Sequence, residues 1–129
     1  MGQLHRLFAK SGPAHQRELV DSVASLIGTD GLGGLVLRFA ASGYGPQVES
    51  WIRVGPNQRL APRQLRAVVG DDELVRIADN SSIAPRQVAQ GLAILVPRAI
   101  DRLTPEGTVP TSATLRRSLG HLGGLLEAS

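Results

Sequence analysis

The sequence has no cysteine, and its aromatic residues are only two Phe, one Trp and one Tyr. The absence of cysteine excludes disulfides and thiolate metal sites, and it fits a reducing compartment. With so few aromatic rings, a hydrophobic core must be built from Leu, Ile, Val and Ala. A chain of 129 residues can bury roughly two-thirds of its unfolded surface, so a single domain needs no crosslink to be stable.

Long apolar runs are also missing. The longest, LAILV at 92–96, is far below the roughly 20 residues that cross a bilayer. The N-terminal residues contain no sustained apolar stretch of the kind found in secretory signals. Arg6 stands where an N-myristoylation motif requires Ser or Thr. We therefore expect no membrane span and a cytoplasmic protein.

Positive charge comes almost entirely from arginine, because Lys10 is the only lysine among 14 basic residues. The net charge of +3 hides a local excess, since residues 50–70 hold four arginines and no acid. Residues 71–79 then hold four acids and one arginine, a local charge of −3. The +4 stretch could meet phosphate or an acidic partner. The alternative is an ordinary solvated helical surface.

Apolar residues recur at helical spacing along the chain, and no segment alternates as a strand would. Two successive sets each define one helical face, and GTDG at 28–31 between them is typical of a turn. The pattern predicts two short amphipathic helices packed antiparallel. The two sets are Leu19, Val20, Val23, Leu26 and Ile27, and Leu32, Leu35, Val36, Phe39 and Ala40.

The segment SGYGPQVESWIRVGPNQRLAPRQL, at 42–65, contains the only Tyr and the only Trp. Its first glycines favour a helix end, and Pro46 and Pro62 each suit the first turn of a helix, where the missing N–H costs nothing. The segment therefore predicts two helix starts. Trp51 shares a helical face with Val48 and Ile52, so we expect its indole in the core rather than stacked on a nucleic-acid base.

The second half of the chain predicts two more helices. Asp71, Asp72 and Glu73 lie where a helix N-terminus favours negative charge, and the longest helical stretch runs over 83–103. Pro97 lies inside that stretch and is expected to kink it. The prediction is an all-α fold, a compact bundle of about six short helices between residues 14 and 104 with a helix-turn-helix-like substructure.

We divide the chain into a flexible N-terminal arm at 1–13, a helical domain at 14–110 and a tail at 111–129. The tail has leucines at helical spacing, but its three glycines each weaken a helix by about 1 kcal/mol relative to alanine. We expect a conditional helix that is docked on its own chain, docked on a partner, or frayed.

Several motifs occur together in one order: GLGGLVLRF at 31–39, the segment at 42–65, LVRIA at 74–78 and PRAIDRLTPEGTVP at 97–110. As a set they resemble the YidB-like family of small bacterial proteins, over about residues 16–110. The resemblance implies an all-helical fold. The family has no established activity, so the resemblance implies no catalytic or binding residue.

Motifs for catalysis or metal binding are weak. His5, His15 and His121 are far apart and form no His-x-x-x-His pair, and no G-x-S-x-G motif marks a nucleophile. GLGGL at 31–35 lacks the spacing and the lysine of a phosphate-binding loop, so a helix start explains it better. The acids at 71–73 are explained by the helix dipole. We therefore expect a non-catalytic protein without a cofactor or a metal.

One nucleic-acid motif remains as an alternative. The stretch LVRIADNSSIAPRQVAQGLA at 74–93 resembles a helix-turn-helix, although Ser81 and Ser82 replace the apolar residue and the glycine usual there. Its second helix would begin near Pro85. The side chains that it would offer to a major groove are Arg86, Gln87 and Gln90, with Arg63 and Arg66 of the +4 stretch on phosphate.

The leading hypothesis is a protein-interaction or self-association module. An apolar face that a chain leaves uncovered needs a partner. The tail supplies the candidate interaction face: Leu115, Leu119, Leu122 and Leu126. The partner would be an unknown protein or a second copy of the chain, and nucleic acid is the second choice.

Overall fold

The computed structural model describes residues 12–53, 55–81, 83–105 and 107–127. All regular structure in these residues is helical, which confirms the all-α prediction. About six helices were expected before the tail; the described residues there form five, because two predicted helices are the arms of one bent helix, and the tail adds two. The described residues form seven helices: α1 Gly12–Ala41, α2 Gly45–Ile52, α3 Pro62–Val69, α4 Asp71–Ser81, α5 Pro85–Leu103, α6 Ser112–Leu119 and α7 Leu122–Glu127. Most of the N-terminal arm predicted at 1–13 lies outside the described residues.

α1 is bent in its middle, where two separate helices were predicted. Gly31 adopts φ 75° and ψ 161°, outside the helical range, and the arms Arg17–Thr29 and Gly31–Ala41 meet at 91°. Glycine adopts a positive φ at little cost because it has no Cβ. The predicted antiparallel hairpin is therefore wrong. A single glycine turns the chain through a right angle without a loop, so the two arms diverge instead of packing side by side.

α5 lies at the centre of the bundle. It contacts α1, α2, α3, α4 and both tail helices, and 11 of its 19 residues are buried. Gly91 permits the close crossing of α5 and α1, because a Cβ built there would lie 2.7 Å from Cδ1 of Leu19. The helix continues through the buried Pro97, so the proline does not end it. The other described helices therefore all pack against α5.

Trp51 is fully buried, as its helical face predicted. Its ring meets Phe39 edge to face, with the ring centroids 5.2 Å apart. The indole N–H donates to the backbone carbonyl of Gln58 at 2.7 Å. The side chain therefore joins α1, α2 and the loop that leads to α3, and it is not available for stacking on a base.

Proline begins three of the described helices, as the sequence predicted. Pro46, Pro62 and Pro85 each occupy the first turn. At the start of α3 the side-chain oxygen of Gln64 accepts the backbone N–H of Ala61 at 2.9 Å. That bond satisfies a donor that a helix N-terminus leaves free, so the local sequence fixes where the helix begins.

No single helix of the described residues has the length and hydropathy of a membrane span. The two arms of α1 reach that hydropathy only when they are taken together across their bend. Most of the apolar side chains responsible are buried in the core of this fold: Leu19, Val23, Leu26, Ile27, Leu32, Leu35 and Phe39.

Candidate functional site

α4 and α5 form the helix-turn-helix-like unit that the sequence predicted. The three residues 82–84 connect them. Ala78, Ile83 and Val88 are buried, in the positions that such a unit uses for packing. Ser81 is also buried, and its hydroxyl donates to a carbonyl of its own helix at 2.7 Å. The polar residue is thus accommodated by a local hydrogen bond.

The side chains proposed to contact nucleic acid are all exposed. Three lie on the first two turns of α5, and two lie on α3. Nε of Arg66 lies 3.5 Å from Oδ1 of Asp71, so an acid stands beside one of the expected phosphate contacts. All five are accessible to a ligand: Arg63, Arg66, Arg86, Gln87 and Gln90.

The tail docks on its own chain. α6 and α7 both contact α1 and α5. Leu115, Leu122 and Leu126 are 7%, 1% and 5% exposed, and Leu119 is half-buried. The interaction face predicted there is therefore covered by the chain's own helices. These leucines complete the core by packing against α1 and α5. The pattern of the tail alone could not predict which helices they would contact.

A different apolar face is left uncovered, on the second arm of α1. Leu37 is 70% exposed, more than any other large hydrophobic side chain described. Gly33, Ala40 and Ala41 lie one turn before or after it on the same side of the helix and are exposed as well. We call these four residues the Leu37 face.

Charge is absent from the Leu37 face. Arg38 is the only charged residue between Gly31 and Gly45. Its Nη2 donates to the backbone carbonyl of Val68 at 2.8 Å, so its charged end lies against α3. The Leu37 face therefore presents only apolar and small side chains to its surroundings.

The helical pattern did not predict this face. It assigned Ala40 to the buried side together with Leu32, Leu35 and Phe39, and those three are indeed buried while Ala40 is exposed. The available signal was Leu37 itself, because it is a leucine that lies off the buried face of a well-patterned helix.

A cleft of about 390 Å³ lies between α1 and α4. Its lining includes Glu18 and Asp21 on α1, and Glu73 and Arg76 on α4, which pair with each other. Oε2 of Glu18 is buried and has no hydrogen-bond partner among the described residues. No group of three His, Asp or Glu among the described residues could hold a metal ion. The cleft is thus a concave surface with an excess of negative charge.

Fold and surfaces together define a small all-helical domain, with a helix-turn-helix-like unit and one uncovered apolar face. The family model for the YidB-like protein family matches residues 2–112, and the chain belongs to that family. The match begins well before the residues that carried the sequence resemblance, and it ends at the first residue of α6. Searches of curated proteins and of solved structures found no match.

Proposed function

We propose that this protein is a non-catalytic protein-interaction module and that the Leu37 face is its binding surface. The exposure of Leu37 supports the proposal, because the other four leucines of α1 are buried. Leu37 is 70% exposed on an uncharged helix face, so covering it with another apolar surface removes it from water with a favourable free energy. The buried tail is no longer part of this hypothesis.

A cytoplasmic location belongs to the same proposal. The chain forms no disulfides, the crosslinks that commonly stabilise small domains in oxidising compartments, and this supports a location in a reducing one. The partner would then be a protein of the reducing cell interior, including a second copy of this chain.

Photo-crosslinking in the cell tests the binding surface. A photoreactive amino acid in place of Ala40 lies within the Leu37 face and is expected to form a crosslink to protein. The same amino acid in place of Asp79, an exposed residue of α4, serves as the control and is expected to form none. Absence of any crosslink from position 40, or equal crosslinking from position 79, would contradict the proposal.

Nucleic-acid binding by the helix-turn-helix-like unit is the second candidate function. It is favoured by one observation, the exposure of Arg86, Gln87 and Gln90 at the start of the second helix of this unit. Arg can pair with guanine and Gln with adenine in a major groove. The acids at the start of α4 oppose this function, because they repel phosphate.

Salt dependence separates specific phosphate contacts from general charge. If Arg63 and Arg66 contact phosphate, replacing both by alanine is expected to lower the slope of log K against log salt concentration by up to about two. Arg102→Ala is the control, because that exposed arginine lies near the other end of α5. Failure of the unmodified protein to bind any DNA at low salt would dispose of this function.

A further inference from the structure

We propose that the Leu37 face binds the same face of a second copy of this chain, with Leu37 of each copy seated over Gly33 of the other. The inference rests on the proposed function, since it names the partner of that binding surface. It follows from three properties of the face: an unexplained glycine, a self-complementary shape and the absence of charge.

Gly33 has no evident role in packing among the described residues. It lies inside α1 with an ordinary helical φ, it is exposed, and a Cβ built on it would meet nothing within 4 Å. The contrast is with Gly31, which has a positive φ, and with Gly91, which lies against Leu19. Glycine inside a helix is less stable than alanine, so a contact beyond the described residues explains the missing side chain best.

The shape of the Leu37 face is complementary to itself. A two-fold symmetric pair makes each contact twice: if one residue of the first copy contacts a second residue of the other copy, the same two positions also meet with the copies exchanged. Leu37 lies one helical turn after Gly33, so the large side chain of each copy can fill the gap above the glycine of the other. Ala40 and Ala41 are small enough for the two helices to approach closely.

The lack of charge favours a second copy over other partners. Two identical charged faces would repel each other, whereas the only charge between Gly31 and Gly45 is Arg38, whose end lies against Val68. An uncharged face also has nothing with which to bind phosphate or to distinguish an acidic partner. A single arginine is too little for a surface that binds anionic lipids.

The size of the face sets the expected strength. Residues 31–41 make about three helical turns, which matches the small, transient class of protein interfaces. We therefore expect an equilibrium between monomer and dimer that depends on protein concentration, rather than a permanent dimer.

Sedimentation velocity on the purified full chain tests the pairing. The unmodified protein is expected to show an apparent mass that rises with concentration toward that of a dimer. Leu37→Glu is expected to weaken association at least about tenfold. Val75→Glu is the matched control, because Val75 is the other large hydrophobic side chain that is exposed in a described helix, at 46%. Circular dichroism confirms that both variants remain folded.

Gly33→Ala separates pairing from stability. It is expected to raise the unfolding temperature of the monomer, because alanine favours the helix, and to weaken dimerisation, because its methyl group occupies the gap for Leu37. Gly124→Ala, at another exposed helical glycine with nothing within 4 Å of its Cβ, is expected to leave dimerisation unchanged. Equal loss of dimerisation in both variants would contradict the pairing.

Two further outcomes would overturn the inference. One is an unmodified protein that stays monomeric at every concentration; a crosslink from position 40 to a different protein would then leave the proposed function standing. The other is Leu37-dependent flotation with phosphatidylcholine or phosphatidylserine vesicles by a protein that stays monomeric, which would assign the face to a membrane surface.

Discussion

Replacing Trp51 by alanine is expected to lower the free energy of unfolding by about 3–5 kcal/mol. The side chain is fully buried, and its removal leaves a cavity beside Phe39 that the surrounding helices can fill only in part. It also removes the donor for the carbonyl of Gln58. Urea unfolding followed by circular dichroism measures the change.

Trp51→Phe is the matched control for that experiment. It retains an aromatic ring next to Phe39 but has no N–H for Gln58, so its loss of stability should be clearly smaller than that of Trp51→Ala. An unchanged urea midpoint in Trp51→Ala would show that the indole does not lie in the core. It would also make Trp51 a candidate for a binding role again.

Truncation after Pro110 is expected to lower the unfolding temperature strongly. It removes three leucines that are each at most 7% exposed, and burial of one such side chain contributes roughly 1.5–3 kcal/mol. Part of that contribution is offset, because the tail residues no longer lose conformational entropy. The apolar surfaces of α1 and α5 under the tail also become exposed. Differential scanning calorimetry of the two proteins measures the difference.

Single substitutions in the tail make the same comparison without truncation. Leu122→Ala is expected to destabilise by about 2–5 kcal/mol, since Leu122 is 1% exposed. Gly124→Ala in the same helix is expected to be neutral or stabilising, because nothing lies within 4 Å of its added methyl group. If truncation changes nothing and the tail amides exchange freely with solvent, the docking of α6 and α7 is contradicted.

Much of the fold could be predicted because local rules decide it. Pro46 and Pro62 begin helices by their own geometry, and the apolar spacing of α2 placed Trp51 inside. The bend at Gly31 could not be predicted, since GTDG suits a loop as well as a single residue with positive φ. A loop and a single-residue bend place the two arms of α1 differently against α5. Which of them forms depends on packing in the assembled core and not on the local sequence.

The exposure of individual leucines in the candidate site could not be predicted from the sequence either. The leucines of the tail and Leu37 look alike in the sequence, because each lies on one side of a helix that also contains glycine. Whether such a leucine is covered depends on which other helices reach it. α1 and α5 cover Leu122, and nothing among the described residues covers Leu37 to the same degree. Apolar periodicity predicts the side of a helix on which a residue lies, but not which other helices pack against that side.

Backbone amide NMR spectra recorded over a wide range of protein concentration test the central claim, that the Leu37 face is the binding surface and a second copy its partner. The predicted result is a set of concentration-dependent shifts confined to residues 31–43, lost in Leu37→Glu and retained in Val75→Glu. Shifts centred on α5 or on the tail, or spectra that do not change with concentration, would contradict it.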